Sequence, residues 1–137
     1  MADYLLDSSF LIGYFNEVAQ GKIGPARRFR AQMPARSRLF FSLVSLAELL
    51  EGADDPAAVE RELGRLARCL GLSQQHARRV ALMQRRAREH GTRLGENDAW
   101  IAVTAALAGL SLVGDDDRAF AHRPSVSYLN FRTGSGA

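Results

Sequence analysis

Leu39-Phe40-Phe41-Ser42-Leu43-Val44-Ser45-Leu46-Ala47-Glu48 carries the chain from one kind of backbone to another. Residues 39–44 form a nearly unbroken apolar run of strand length, the pattern of a strand covered on both faces. Ser45, with Glu48 three residues later, matches a capping box, so a helix is expected from Ser45 to about Gly52 with Glu48 in its first turn. A doubly covered strand that passes directly into a helix is the repeating unit of an α/β domain. Parallel strands need such helical crossovers.

The same alternation extends in both directions. Tyr4-Leu5-Leu6 is a short apolar run that stops at Asp7, and Phe10, Leu11, Ile12, Tyr14 and Phe15 then read as a buried helix. Gly21 and Gly24 mark a break, Pro25 can open a basic helix through about Gln32, and Pro34 closes it. Beyond Gly52, Asp55-Pro56 starts a helix whose apolar stripe is Val59, Leu63, Leu66 and Leu70. Gly71 breaks that helix and Ser73 can cap the next, which reaches about His90; the two are expected to pair as a helical hairpin. An alanine-rich helix then runs from Asn97 through Ala108 and ends at Gly109. Leu110-Ser111-Leu112-Val113 reads as a strand, residues 120–122 as a short helix, and Ser127-Tyr128-Leu129-Asn130-Phe131 as the last strand. The expected fold is a three-layer α/β/α sandwich with a mainly parallel sheet. One domain is expected over residues 1–132, followed by a mobile tail at residues 133–137.

Composition excludes several classes. The chain has 137 residues with 47% hydrophobic and 24% charged, the balance of a protein that buries a core. No apolar stretch approaches the ~20 residues of a membrane span. An acid stands at Asp3, where a signal peptide would be basic, and one cysteine cannot form an intramolecular disulfide, so a cytoplasmic location is expected. Cys69 reads as a small core residue of a helix. His76, His90 and His122 lack metal-ligand spacing, and Trp100 reads as a packing residue. The formal charge is +3, yet 17 of the 18 basic residues are arginine. Arginine suits phosphate recognition, although a GC-rich coding sequence favours it too.

Four acidic positions stand apart from the solvated helix faces. Asp7 follows the first strand, Glu48 and Asp98 begin helices, and Asp115, Asp116 and Asp117 follow the strand that ends at Val113. In a parallel sheet, the carboxyl ends of strands and the amino ends of helices share one edge, where open α/β sheets bind ligands. Taken singly, each acid also has a structural explanation: a capping box for Glu48, the helix dipole for Asp98, turns for the rest. Together they form a carboxylate cluster that repels itself until a cation neutralises it. All-oxygen ligands favour Mg²⁺ or Mn²⁺, and the chemistry such a site suggests is phosphodiester hydrolysis.

With these motifs in order, the sequence resembles the PIN domains, and among them the ribonuclease toxins of VapBC toxin–antitoxin modules. The resemblance rests on Leu5-Leu6-Asp7-Ser8-Ser9-Phe10-Leu11-Ile12, Val44-Ser45-Leu46-Ala47-Glu48-Leu49, Asn97-Asp98-Ala99-Trp100-Ile101-Ala102-Val103-Thr104-Ala105 and Leu112-Val113-Gly114-Asp115-Asp116-Asp117-Arg118-Ala119-Phe120. It implies a Mg²⁺- or Mn²⁺-dependent endoribonuclease with Asp7, Glu48 and Asp98 as core carboxylates. Ser8 or Ser9 would orient the first aspartate or a water on the metal. The fourth motif departs from the pattern: Gly114 stands where a hydroxyl residue usually ends the strand, and the stretch before Phe120 is one residue longer. Counting from the strand end selects Asp116 as the fourth acid; counting back from Phe120 selects Asp117. Asp116 is preferred because the strand end is the rigid element. The resemblance further implies an RNA substrate, a VapB-like antitoxin over the cleft, and a homodimer or a heterotetramer or octamer with that antitoxin.

Residue identity disfavours the other acidic-edge folds. A phosphoacceptor receiver domain needs a lysine near its end, and Lys22 is the only lysine; a haloacid-dehalogenase phosphatase needs a second acid where Ser9 stands. The remaining alternative is a PIN-fold module that binds RNA or protein and cleaves weakly or not at all. Basic residues around the cleft would be needed to attract RNA to an acidic site. The candidates are Arg27, Arg28, Arg30, Arg36, Arg38 and Arg93.

Overall fold

In the computed structural model, which describes residues 2–134, five strands form one sheet. They are β1 (Tyr4–Leu6), β2 (Leu39–Ser42), β3 (Arg68–Leu70), β4 (Ser111–Gly114) and β5 (Ser127–Asn130), in the order β3-β2-β1-β4-β5. Every neighbouring pair is parallel, so the expected mainly parallel sheet is wholly parallel. The connections carry α1 (Ser8–Ala19), α2 (Pro25–Gln32), α3 (Leu43–Glu51), α4 (Pro56–Leu66), α5 (Gln74–Glu89), α6 (Glu96–Ala108) and α7 (Asp117–Phe120). Among the described residues, no helix is long and apolar enough to cross a membrane.

Alternation along the short strands divides the core in two. Leu5, Leu112 and Tyr128 face one layer, where they meet Val80 of α5, Ile101 and Val103 of α6, and Phe120 of α7. Tyr4, Leu6, Phe41 and Val113 face the other, against Phe10 and Leu11 of α1, Ala26 of α2, and Leu63 of α4. Helices thus cover both faces of the sheet, which is the α/β/α sandwich. Three- and four-residue strands owe their stability to this double cover more than to pairing alone.

Two local expectations are corrected. First, β2 stops at Ser42 and α3 starts at Leu43. Ser42 is the extended residue, and its hydroxyl accepts from the Ser45 amide at 3.0 Å, so Ser42 and not Ser45 caps the helix. Glu48 consequently lies in the second turn, outside any capping box. Second, the apolar stripe through Leu63 and Leu66 does not continue to Leu70, because the chain turns extended after Leu66 and Arg68–Leu70 pairs with β2 as an edge strand. The expected helical hairpin is absent: Val59 and Leu63 pack on one face of the sheet, Val80 and Met83 on the other. Cys69 lies on that edge strand and is exposed, not in a helix core. Where the expected tail begins, residues 131–133 follow β5 in a turn. The Asn130 side-chain oxygen accepts from the Arg132 and Thr133 amides, and the Gly134 amide donates to the Asn130 carbonyl at 2.8 Å. Residues 135–137 of that expected tail lie outside the described residues.

The strand order fixes where a ligand can bind. The chain passes outward from β1 to β2 and β3, then returns to the other side of β1 for β4 and β5. Connections leaving β1 and β4 therefore diverge, and a crevice opens at their carboxyl ends. Placing Leu63 under the sheet has a measurable consequence. Leu63→Ala removes a fully buried side chain and should cost about 2–5 kcal/mol in urea unfolding. Leu72→Ala, at an exposed position, should change stability by less than about 0.5 kcal/mol.

Candidate active site

Asp7 enters the crevice because β1 ends one residue before it. Its amide donates to the Val113 carbonyl of β4 at 2.9 Å, which extends the pairing to the aspartate itself. The residue is the N-cap of α1, yet its side chain makes no capping bond. Only 7% of Asp7 is exposed. Its Oδ2 accepts from the Ser9 hydroxyl at 3.2 Å. On the other side is Gly114, the last residue of β4: a Cβ there would stand 3.1 Å from Asp7 Oδ2 and 3.3 Å from Asp7 Cβ. Gly114, which interrupts the expected hydroxyl pattern, is thus the residue that makes room for the aspartate.

Glu48 comes from α3 and is half-buried. The Ser8 hydroxyl donates to its Oε1 at 2.6 Å, and the Asn97 amide group reaches its Oε2 at 3.4 Å. The paired serines therefore divide their work, Ser9 on Asp7 and Ser8 on Glu48. Asp98 occupies the third position of α6, a helix whose N-cap is Gly95, with no capping side chain. Its carboxylate is left to the crevice, where it lines an open cleft of about 360 Å³ together with Asp116.

Asp116 and Asp117 diverge. Asp116 caps α7 through Oδ1, which accepts from the Ala119 amide at 3.0 Å, and it shares the cleft with Asp98. Asp117 turns away: its Oδ1 accepts from the Tyr128 hydroxyl and the Asn130 amide, both at 2.8 Å. Those bonds hold its carboxyl below the usual range, and burial followed by the Asp117 bond pushes the Tyr128 hydroxyl up. Asp115 accepts from Arg132 Nε at 2.8 Å.

Proton affinities register the crowding. Burial pushes the Asp7 carboxyl up to about 7, and the charges of Asp98 and Glu48 add to that against the nearby Ser8 amide and Ser9 hydroxyl. Burial also raises Asp98, with Asp116 and Glu48 adding repulsion. Among the described residues, no three His, Cys, Asp or Glu side chains already stand together as a ligand set. What the crevice offers is a few carboxylate oxygens that repel one another beside open space. Such a donor set fits a hard divalent cation that keeps much of its water.

The basic candidates separate just as clearly. Arg93 lines the cleft and also pairs with Glu96 at 3.0 Å. Arg27, Arg28 and Arg30 of α2 do not line it. Arg27 and Arg28 donate to the Lys22 and Ile23 carbonyls, and the Arg27 amide binds Glu17 near the far end of α1. Arg38 pairs with Asp3 at 2.8 Å at the opening of β1 and β2, the edge opposite the carboxylates. Sequence reasoning missed Asn97, Arg118 and Arg123. The last two line the cleft because α7 and the loop after it fold back beside Asp98, a non-local arrangement. Asn97 had a local signal, an amide directly before the helix-start aspartate.

A PIN-domain family model matches residues 4–125 of the sequence. The chain belongs to the PIN-domain family. Members of that family are generally nucleases, and solved structures extend the likeness across nearly the whole chain. A chain of VapBC2 from Rickettsia felis, solved bound to a promoter DNA fragment, is 17% identical with a TM-score of 0.76, covering 93% of this chain and 97% of that one. A chain of VapBC-5 from Mycobacterium tuberculosis is 26% identical with a TM-score of 0.67, covering 95% and 99%. A chain of a toxin–antitoxin complex from Klebsiella pneumoniae is 25% identical with a TM-score of 0.67, covering 90% and 95%. No curated protein matches the sequence. This is a VapC-like PIN domain.

Burial of Asp7 predicts a pH effect on stability. Because its folded pKa, about 7, lies above the ordinary 3.8, the folded state binds the proton more tightly. That stabilisation is fully present below the ordinary value and is lost as pH rises through about 7. Chelator-treated protein should therefore lose stability as pH rises from about 4 to 7, between the ordinary and the folded pKa, on the order of a few kcal/mol. Thermal melts of Asp7→Asn across the same window should lack that part of the loss. Parallel curves for the two proteins would contradict the assignment.

Proposed function

We propose that this PIN domain is a metal-dependent endoribonuclease that hydrolyses RNA phosphodiester bonds, and the toxin of a VapBC-type pair. The observation that carries the reading is the charge coupling of buried Asp7 to Asp98 and Glu48, and of Asp98 to Asp116, around the β1/β4 crevice, where burial and this repulsion raise the proton affinity of Asp7 and Asp98. A site of that kind is costly in the metal-free state and is relieved by a cation.

Asp7, Glu48, Asp98 and Asp116 would hold Mg²⁺ or Mn²⁺, directly or through water. When bound, the cation would supply charge shielding at the phosphate and a lowered pKa for a coordinated water. The chain's own residues do the positioning. Ser9 and Gly114 fix the Asp7 carboxylate between them, and Ser8 and Asn97 orient Glu48. Arg93 and Arg118 at the rim offset the carboxylate charge that would otherwise repel RNA. Hydrolysis adds water across the phosphorus–oxygen bond and leaves one phosphate end and one hydroxyl end, with no covalent link to the protein.

The partner follows from the same resemblance. A VapB-like antitoxin would cover the acidic cleft, and the toxin would form a homodimer or a heterotetramer or octamer with it. Residues 1–132 would make up the single nuclease domain, acting in the cytoplasm.

Mixed cellular RNAs incubated with the purified chain and Mg²⁺ or Mn²⁺ test the activity. Asp7→Asn and Asp98→Asn should each lower cleavage by about 100-fold or more, the scale of losing one charge-stabilising group. Asp117→Asn, which alters a residue committed to Tyr128 and Asn130, should stay within about tenfold of wild type. Cleavage that survives Asp98→Asn, or vanishes only with Asp117→Asn, would refute the assigned site.

A further inference from the structure

A second and larger cavity adjoins the carboxylate cleft. It measures about 560 Å³ and lies between α5 and the loop from α7 to β5. Thr92 and Arg123 line both cavities and so form their common wall. Arg123 is built in: its Nε donates to the Ala119 carbonyl at 2.8 Å and its Nη1 to the Thr92 carbonyl at 2.6 Å. His122 and Ser125, on either side of Arg123-Pro124, both adopt positive φ, at 63° and 65°. That loop is held in a conformation L residues rarely adopt.

The opposite wall is a single face of α5. Arg79, Leu82, Met83 and Arg86 follow one another at helical spacing, with two guanidinium groups bracketing an apolar patch. Seven residues place the arginines about 10.5 Å apart along the axis, far enough to reach different phosphates of one strand. Among the described residues neither Arg79 nor Arg86 has a partner for its side chain; the ion pairs use Arg38, Arg65, Arg93 and Arg132. Among the described residues, Glu89 is the only acid lining the cavity. Leu82 is 42% exposed, so an apolar surface is available between the two guanidinium groups.

We propose that this cavity is an RNA subsite: Arg79 and Arg86 bind phosphates, and Leu82 and Met83 receive a base, of nucleotides flanking the bond held at Asp98 and Asp116. The inference rests on the ribonuclease reading and adds to it a path for the strand. RNA crosses from the carboxylate cleft over Arg123 and Thr92 and lies along α5. Two basic positions around an apolar floor suit a single strand, whose bases are free to leave their stack.

The test uses the full chain with Asp98→Asn to prevent cleavage and a fluorescent single-stranded 12-mer RNA of mixed sequence. Anisotropy is measured from 50 to 300 mM salt. In that background Arg79→Ala/Arg86→Ala should weaken binding about tenfold and reduce the slope of log affinity against log salt by about 1.4, at ~0.7 per phosphate contact. Arg61→Ala/Arg68→Ala removes the same charge at exposed positions of α4 and β3 and should change neither by as much. Equal effects of the two pairs would overturn the subsite while leaving the nuclease reading intact. No RNA binding by the Asp98→Asn parent would overturn both. Light scattering and an acidic 12-residue peptide complete the experiment. Loss of a dimer, or of peptide binding, with RNA affinity unchanged would assign the cavity to a protein partner and refute the proposal.

Discussion

Asp7 must lose most of its water for this site to exist, and that requirement governs much of the surrounding structure. A carboxylate 7% exposed is stable only if it is protonated, hydrogen-bonded or neutralised. Here the strand register carries it inward, through the bond from its own amide to Val113. Ser9 supplies one hydrogen bond, and the carboxylates of Asp98 and Glu48 make the charged form less favourable still. The site is held by the sheet and both helical layers in a state that favours proton or cation binding. Its geometry belongs to the fold, and its energetic cost belongs to the charges.

The sheet order explains why residues so far apart in sequence can share that cost. Asp7 and Asp116 follow adjacent strands, β1 and β4, on which the chain turns in opposite directions. Glu48 reaches them from α3, which packs against both α1 and α6. Asp98 opens α6, the helix that leads into β4. Any arrangement that exchanged β4 with β5 would place the last acid one strand farther from Asp7, at a spacing of ~4.8 Å per strand.

Much of this was legible in the sequence because the central strands are apolar on both faces and the acids fall at element boundaries. Leu5, Leu6, Leu112 and Val113 needed no tertiary information. Arg68-Cys69-Leu70 did. An edge strand of three residues, mostly exposed, has no pattern of its own, and Leu70 happens to continue the helical stripe of Val59, Leu63 and Leu66. The cap at Ser42 was hidden for a related reason: Ser45 offered an equally good local motif, and only the end of pairing with β1 and β3 decides between them. The choice between Asp116 and Asp117 turns on Tyr128 and Asn130, residues of β5 that no local window includes. The arginines beside the cleft were misjudged likewise, since Arg118 and Arg123 reach it by a fold-back after β4.

Gly114 has an evolutionary consequence. A side chain at this position and the Ser9 hydroxyl both claim the space around Asp7, with Ser9 Oγ 3.4 Å from where a Cβ would stand. The tightest contacts of such a Cβ are nevertheless with Asp7 itself, at 3.1 Å to Oδ2 and 3.3 Å to Cβ. A lineage that gains a side chain at 114 must therefore re-seat the Asp7 carboxylate by a few tenths of an ångström, and glycine is the residue that spares it that shift.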